Sequence, residues 1–196
     1  FYVSCERIFN PKIRNKPVVV LSNNDGCVIS RSNEAKAIGI KMGYPAFKYS
    51  QMFNRHKVNV FSTNFALYGD LSDRVMSVLS QSVSHIEIYS IDEAFMDYTG
   101  FNDPLKNSLE IRRKIYKWIG IPISIGIAKT KTLAKVANLI AKKKTASGVF
   151  YLNCPYEIQS QLKKISISNL WGIGNRYTEK LIKHGIITAH DLISQS

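Results

Sequence analysis

The sequence predicts an α+β fold in which a sheet carries helices on one face. Strand-like and helix-like segments are mixed along the chain, and several strand-like segments follow one another directly. That order favours antiparallel or mixed pairing over a doubly wound parallel sheet. Of the 196 residues, 45% are hydrophobic and 11% are aromatic, which is enough apolar material for a packed core.

The opening residues predict a strand, a hairpin and a helix, in that order. The run FYVSCERIF begins without a methionine and has the pattern of a strand interior, so we expect the natural chain to start earlier. Residues 16–29, KPVVVLSNNDGCVI, join two apolar runs through Asn, Asp and Gly, which is a hairpin signal. Residues 32–40 predict a helix that buries Ala35 and ends at Gly39.

The rest of the chain alternates between helical and strand-like patterns. Residues 66–82 and 129–144 each carry apolar residues at helical spacing, and residues 108–118 are expected to form a basic helix. The run IEIYSIDEAFMDY is rich in β-branched and aromatic residues and predicts a strand pair or a bent strand. Alternating isoleucines predict a strand over 121–127. A last strand-like run, GVFYLN, ends near Asn153, where we expect a boundary before a small helical region.

Charge narrows the class of partner. Lys and Arg number 27 against 14 Asp and Glu, which gives a net charge of +13 and a pI near 9.7. Such a surplus suits nucleic acid above all, although an anionic membrane surface or a simply basic surface would have the same composition. No stretch approaches the roughly 20 apolar residues of a membrane span. The three cysteines lie far apart, which predicts reduced thiols in a cytoplasmic protein.

Two segments are candidates for phosphate and metal chemistry. Asp92 and Glu93 follow the strand-like IEIY, and adjacent carboxylates at a strand end can bind Mg²⁺ for phosphoryl transfer. By spacing alone, a solvated turn with two surface acids is the better interpretation. Residues 30–36, SRSNEAK, would place hydroxyl, amide and cationic groups around the first turn of a helix, which suits a phosphate. An ordinary capped helix explains the same pattern equally well.

Two further segments are candidates for DNA contact. The lysines of residues 129–144 are concentrated on a helix, although a solvated amphipathic helix is the usual explanation for such a run. In LWGIG, residues 170–174, a double-glycine turn precedes a basic helix and indicates a helix-hairpin-helix, whose backbone can approach a DNA phosphate closely. A plain αα-hairpin is the alternative, and the basic surroundings favour DNA.

Five segments in order resemble the Y-family DNA polymerases across the whole chain. They are FYVSCE, GCVISRSNEAKAIGIKMGYP, YSIDEAFMDYTG, GIAKTKTLAKVANLIAKK and LWGIG. The sequence SNNDGCVISRSNEAKAIGIKMG is similar to that of the UmuC branch of the family, which comprises the catalytic subunit of DNA polymerase V and its plasmid relatives. Each segment alone is ambiguous, but their shared order makes a chance resemblance very improbable.

The resemblance implies a right-hand polymerase with a palm, small fingers and a helical thumb. The palm would hold residues 1–3, as the remainder of its first strand, and residues 65–152. The fingers would occupy residues 4–64, and a thumb with the helix-hairpin-helix residues 153–196. The little finger that follows the thumb in this family is absent from the chain, so we expect both ends to be truncated.

The resemblance also implies roles for individual residues. Asp92 and Glu93 match the palm carboxylates that carry catalysis and bind two Mg²⁺ ions. Tyr2 matches the aromatic steric gate that stacks under the sugar and excludes a 2′-hydroxyl. The other nucleotide-binding matches are Val3, Ser4 and Cys5, whose backbone would lie against the triphosphate, and Ser30, Asn33, Lys36 and Lys142. Relatives often have Thr, Tyr and Arg at the positions of Ser30, Asn33 and Lys36. The DNA-binding matches are Lys129, Lys131, Lys135, Gly172 and Gly174.

The implied activity is template-directed transfer from a dNTP to a primer 3′-hydroxyl during translesion synthesis in the SOS response to DNA damage. A UmuD′-type subunit, RecA and the sliding clamp are the implied partners besides primer-template DNA. The aspartate of the family motif Asp-x-Asn-x-Phe-Tyr, which in the family is a ligand for both metal ions, would precede Phe1, so we expect a polypeptide that begins at Phe1 to be inactive. A non-catalytic DNA-binding relative and a cyclase-like nucleotidyl enzyme are the alternatives. The intact acid pair argues against the first, and the helix-hairpin-helix against the second.

Overall fold

The computed structural model describes residues 1–195 and shows a mixed α+β architecture. The helices are α1 Tyr2–Phe9, α2 Asn33–Ala37, α3 Ser50–Arg55, α4 Phe65–Ser80, α5 Pro104–Ile119, α6 Lys131–Lys144, α7 Pro155–Leu162, α8 Asn175–Lys183 and α9 Ala189–Ile193. The strands are β1 Val18–Leu21, β2 Val28–Arg31, β3 Asn59–Phe61, β4 Ile86–Ser90, β5 Glu93–Met96, β6 Ile125–Ala128 and β7 Val149–Leu152. No helix within residues 1–195 is long and apolar enough to cross a membrane.

The chain forms two compact units. The first comprises Phe1–Asp97 and Ile115–Pro122, and the second comprises Tyr98–Lys114 and the residues from Ile123 onwards. This division does not follow the boundaries expected for palm, fingers and thumb, which therefore stay a prediction.

A three-stranded sheet lies at the centre of the first unit. The predicted hairpin is confirmed, since β1 pairs antiparallel with β2, with Val19 opposite Arg31. Strand β3 adds to the other edge of β1 in parallel orientation. Val18, Val19 and Val20 are fully buried, because a central strand covered on both faces keeps only apolar side chains.

The predicted helix after the hairpin is present and shorter than expected. Helix α2 ends at Ala37, and Gly39 takes a φ of +89°, a conformation that glycine adopts without strain. The Ser32 hydroxyl caps the helix by accepting from the Ala35 N–H at 3.1 Å. It also accepts from the Val18 N–H at 3.1 Å, and this second bond ties the start of α2 to the sheet.

The expectation of a strand at the N-terminus is wrong, because residues 2–9 form helix α1. The Cys5 N–H donates to the Phe1 carbonyl at 3.0 Å, and Val3 and Cys5 are buried. A short apolar run has no periodicity long enough to separate a strand from a buried helix. Val3 and Cys5 are two residues apart, as on one face of a strand, whereas Tyr2, Cys5 and Phe9 have the i, i+3, i+7 spacing of a helix.

The segment IEIYSIDEAFMDY forms the predicted strand pair. Strands β4 and β5 pair antiparallel, with Ile86 opposite Met96, and the register shifts between Ile88 and Ser90. A β-bulge of this kind increases the local twist and re-aims the side chains beside it. Helix α4, predicted over 66–82 and found over Phe65–Ser80, belongs to the same unit.

The second unit contains a βαβ arrangement made of β6, α6 and β7, in which the two strands pair in parallel. An added Cβ at Gly126 would lie only 2.0 Å from the Asn138 backbone nitrogen, so α6 packs directly on the backbone of β6. The strand expected over 121–127 is only half correct, because it begins at Ile125. Gly120 has a φ of +82° and Pro122 lacks the N–H that a ladder needs.

The C-terminal region of the second unit is helical, as predicted. The residues 171–174 form a turn between the 3₁₀ helix 167–169 and α8. Helix α9 begins with a capping box in which Thr188 and Asp191 each accept from the other's backbone. Leu181 of α8 is half-buried, and α8 contains no fully buried residue.

Candidate active site and nucleic-acid interface

The adjacent carboxylates lie at the hairpin between β4 and β5. Asp92 occupies the turn and is exposed, whereas Glu93 is the first residue of β5 and is half-buried. Neighbouring strand residues point to opposite sides of a sheet, but the bulge and turn at this position relax that alternation. The hairpin therefore presents both acids at one end of a two-stranded ladder.

Two serines hold the acidic turn in place. The Ser90 hydroxyl donates to the Asp92 carboxylate at 3.1 Å, and the Asp92 N–H donates back to the Ser90 hydroxyl at 3.4 Å. From α4, the buried Ser72 donates its hydroxyl to the Ile91 carbonyl at 2.6 Å. These bonds orient Asp92 and fasten the turn to α4.

The donor chemistry of the pair fits a hard divalent cation. Carboxylate oxygens are the ligands that Mg²⁺ prefers, and Mg²⁺ commonly takes one or two carboxylates with water and substrate phosphates. Within residues 1–195, no group of three or more His, Cys, Asp or Glu side chains is placed to hold a metal ion. Asp92 and Glu93 stay the residues predicted to hold Mg²⁺.

Tyr2 packs against α4 and lies within the electrostatic influence of Asp92. Burial raises the pKa of the Tyr2 phenol, and the negative charge of Asp92 raises it further. Its ring stacks on Tyr68, with centroids 4.4 Å apart and planes at 13°, and meets Phe65 edge-on at 6.4 Å. The predicted steric gate is thus in the neighbourhood of one of the two predicted catalytic carboxylates, which is 90 residues away in sequence.

The other predicted residues of α1 are Val3, Ser4 and Cys5, whose backbone is expected to lie against the triphosphate. Val3 and Cys5 are buried in the core of the first unit and Ser4 is half-buried. Burial raises the pKa of the Cys5 thiol to about 12, so this cysteine stays protonated. The first N–H groups of a helix have no intrahelical acceptor, which leaves the start of α1, beside Tyr2, suited to a negative group.

In residues 30–36, some side chains stabilise the fold and others are exposed. Ser30 is half-buried on β2, whereas Asn33 and Lys36 are exposed on α2. The Lys36 ammonium donates to the Asn33 side-chain oxygen at 3.2 Å, so these two predicted nucleotide contacts lie side by side. Ser32, between them and the sheet, is committed to capping and is not available to a ligand.

The predicted DNA-binding lysines are grouped on β6 and α6 of the second unit. Lys129 follows β6 directly, Lys131 is the first residue of α6, and both are exposed. A cation at a helix N-terminus opposes the helix dipole, so the dipole gives no reason for a lysine at position 131. Lys142, the predicted triphosphate contact, is exposed in the last turn of α6, where the dipole also favours a cation.

The predicted hairpin glycines are both exposed, and Gly172 has a backbone conformation that favours glycine. Gly172 has a φ of +90°, and Gly174 is the N-cap of α8, which begins without a side-chain cap. An added Cβ at either glycine would meet nothing within 4 Å. The Lys135 ammonium lies 5.8 Å from the centroid of the Trp171 ring, which places a predicted DNA-binding lysine next to the turn.

The sequence interpretation missed the residues that support these groups. They are Glu6, Phe65, Tyr68, Ser72 and Ser90. A helical interpretation of FYVSCERIF would have placed Tyr2 and Glu6 on one face, four residues apart. No local pattern links them to α4, because those contacts span more than 60 residues of sequence.

Comparison with known proteins finds relatives that match the whole chain. The impB/mucB/samB family matches residues 1–138. The UmuC protein of Salmonella typhimurium strain LT2 is 47% identical over 201 residues, which are 100% of this chain and 48% of that protein. The ImpB protein of Salmonella typhimurium is 46% identical over 200 residues, which are 98% of this chain and 47% of that protein. An insertion ternary complex of Dbh DNA polymerase superposes with a TM-score of 0.85 at 29% identity, covering 100% of this chain and 58% of the other.

The fold is that of the Y-family DNA polymerases, which confirms the predicted fold class. The chain belongs to the impB/mucB/samB family, and its similarity to UmuC confirms the predicted branch. It spans about half the length of the curated relatives it matches.

Proposed function

We propose that the protein containing this chain is a translesion DNA polymerase that extends a primer on a template with dNTPs. The observation that carries the proposal is that Asp92, beside Glu93 at the β4–β5 hairpin, acts electrostatically on Tyr2 at the start of α1. With Mg²⁺ bound, the carboxylate pair would attract the triphosphate end of a nucleotide, and the aromatic ring would offer a flat surface for its sugar.

In this proposal the residues of the chain bind and orient the reactants. Two Mg²⁺ ions held by Asp92 and Glu93 would lower the pKa of the primer 3′-hydroxyl and stabilise the pyrophosphate leaving group. Asp92 is kept in one orientation by Ser90. Tyr2 packs under the sugar and excludes a 2′-hydroxyl. The start of α1 faces the triphosphate with its backbone N–H groups.

We further assign the remaining predicted site residues, most of them lysines, to contacts with phosphate groups. Ser30, Asn33, Lys36 and Lys142 contact the triphosphate in this proposal. The template-primer backbone is contacted by Lys129, Lys131, Lys135, Gly172 and Gly174. The net charge of +13 supports this assignment, because a basic surface both attracts DNA and makes its binding salt-dependent.

The domain boundaries, the cellular location and the partner proteins also belong to the proposal. Residues 1–3 and 65–152 form the palm, residues 4–64 the fingers and residues 153–196 the thumb. The protein acts in the cytoplasm during the SOS response, with a UmuD′-type subunit, RecA and the sliding clamp as partners. The resemblance to the UmuC branch supports these assignments.

Primer extension by the full-length protein, with Mg²⁺ and dNTPs, tests the proposal. The wild type is compared with an Asp92→Ala, Glu93→Ala variant. Asp73→Asn is the matched control, because it removes an exposed carboxylate from α4 of the same unit. We expect extension by the wild type and the control and none by the double variant.

Salt dependence of binding separates the alternatives. DNA held through phosphates should bind with an affinity that falls steeply and linearly on a log–log plot as salt rises, with a slope of about −0.9 per phosphate contacted on duplex DNA. Salt-sensitive binding to primer-template without extension would favour a non-catalytic DNA-binding relative. Extension that survives in the double variant would exclude Asp92 and Glu93 as the catalytic pair. A polypeptide beginning at Phe1 is expected to bind DNA and not to extend the primer.

A further inference from the structure

The ring of Tyr2 rests on a second aromatic layer in the first unit. Tyr2 and Tyr68 stack face to face at 4.4 Å, and Phe65 meets both rings edge-on, at 6.4 Å from Tyr2 and 6.5 Å from Tyr68. Offset-stacked and edge-on pairs are the favourable arrangements of aromatic rings. Tyr2 is half-buried, so one part of it is packed against α4 and another remains accessible.

Tyr68 is fixed more tightly than Tyr2. It is fully buried, and its hydroxyl donates to the Glu6 carboxylate at 2.6 Å. Burial and the hydrogen bond to Glu6 both raise the pKa of the Tyr68 phenol far above its ordinary value, so it remains a donor at every physiological pH. A hydrogen bond to a charged acceptor is shorter and stronger than one between neutral groups.

The two contacts of Tyr68 reach the same helix. Tyr2 and Glu6 are four residues apart on α1 and therefore share one face, with Tyr68 of α4 against both. Its ring supports the Tyr2 ring, and its hydroxyl holds the next turn of α1. One buried side chain thus contacts both the ring that projects from the first turn of α1 and the turn that follows it.

We propose that Tyr68 and Glu6 are a positioning pair that holds the Tyr2 ring where it excludes a 2′-hydroxyl, so that they set the discrimination between dNTP and rNTP. The inference rests on the polymerase function proposed above. Because Tyr68 is fully buried, it does not touch the nucleotide and acts only through Tyr2. Phe65 closes the third side of the ring cluster.

The pair should matter more for sugar discrimination than for insertion of the correct nucleotide. A steric gate works only if its ring cannot retreat, since a small displacement makes room for one hydroxyl. Without the Tyr68–Glu6 bond, the ring stack and the buried side chains of α1, Val3 and Cys5, would still hold the helix, but no hydrogen bond from Tyr68 would fix its first two turns. The loss of one hydrogen bond to a charged group corresponds to about a tenfold change in the equilibrium between the held and displaced ring.

Single-nucleotide insertion by the full-length protein tests the inference. The ratio of kcat/KM for a dNTP to kcat/KM for the matching rNTP is measured for the wild type, Tyr68→Phe, Glu6→Ala and Glu6→Gln. Tyr49→Phe is the matched control, because Tyr49 is also buried in the first unit and its hydroxyl accepts from the Lys41 N–H at 2.8 Å. Thermal unfolding is followed for every variant.

The expected result is a loss of discrimination between dNTP and rNTP in the variants that break the Tyr68–Glu6 bond, and in no other variant. Tyr68→Phe and Glu6→Ala should lower the ratio about tenfold, mainly by raising kcat/KM for the rNTP. Glu6→Gln should retain the ratio, because its amide oxygen still accepts from Tyr68. Tyr49→Phe should match the wild-type ratio, even though it loses a comparable hydrogen bond.

Three results would overturn the inference. Discrimination within twofold of the wild type in both Tyr68→Phe and Glu6→Ala would show that Tyr2 is held without the pair. An equal loss in Tyr49→Phe would show a general effect of destabilisation. Should Tyr68→Phe not fold, Glu6→Ala decides alone. A wild type that inserts neither nucleotide would instead overturn the proposed polymerase function, and this inference with it.

Discussion

Replacing Gly126 by alanine should separate α6 from β6 and destabilise the second unit. A Cβ at this position would lie 2.0 Å from the Asn138 nitrogen, 2.4 Å from the Ala134 oxygen and 2.6 Å from the Ala137 carbonyl carbon. All three are backbone atoms of one helix, so no side-chain rotation can relieve the contact. Helix α6 must move by more than an ångström as a body.

The cost of this movement follows from what α6 buries. Val136, Ala137 and Ile140 of α6 belong to the core cluster of the second unit, together with Leu152 of β7. Overpacking in a well-packed core usually costs about 1–3 kcal/mol, and a clash with backbone lies at the upper end of that range. We therefore expect Gly126→Ala to lower the free energy of unfolding by about 3 kcal/mol, a large part of the 5–15 kcal/mol typical of a folded domain.

Urea denaturation measures this change, with Gly69→Ala as the control. Gly69 lies inside α4, and a Cβ there would meet nothing within 4 Å. Alanine in a helix interior is favoured over glycine by about 1 kcal/mol, so the control should be stabilised while Gly126→Ala is destabilised. A Gly126→Ala protein within about 0.5 kcal/mol of the wild type, the scatter of ordinary surface substitutions, would refute the close packing of α6 on β6.

Two further predictions concern the first unit. Ser32→Ala removes the acceptor for the N–H groups of Ala35 and Val18 and should cost about 2 kcal/mol by urea denaturation. Ser32→Thr, which keeps the hydroxyl, should retain most of the stability; equal losses would refute the capping role. Burial would raise the pKa of Glu34, but hydrogen bonds from Ser32, the backbone and Arg7 outweigh it and lower the pKa. The stabilisation is therefore present above the unfolded carboxyl pKa and lost as pH falls through the folded value, so Glu34→Gln should be less stable than the wild type near neutral pH and equal to it in acid. A difference that persists unchanged in acid would contradict the ionic origin.

Local patterns in the sequence were enough to predict the elements whose signals are long or chemically specific. The hairpin of residues 16–29 follows from turn residues between two apolar runs, and α4 and α6 follow from three or more turns of apolar spacing. The segment IEIYSIDEAFMDY, rich in β-branched and aromatic residues, predicted a strand pair or a bent strand, and the structure contains the pair β4–β5. Short apolar runs do not contain enough residues to distinguish a strand from a helix. Residues 2–9 suit a strand and a buried helix equally, and tertiary packing selects the helix.

The supporting residues of the site could not be predicted, because they act across long separations. The hydrogen bond between Tyr68 and Glu6 spans 62 residues. Strand β3 pairs with β1 across about 40 residues and has only three residues of its own. A sequence pattern records which face of an element is apolar; it does not record which other element covers that face.

The lysines of α6 show that position on a helix distinguishes charges that a count treats alike. The helix dipole favours the lysines in the last turn, Lys142 among them, since a cation stabilises a helix C-terminus. The dipole opposes a cation in the first turn, where Lys131 lies. It therefore gives a structural reason for Lys142 that it does not give for Lys131, and the phosphate contacts proposed for both lysines do not follow from the dipole.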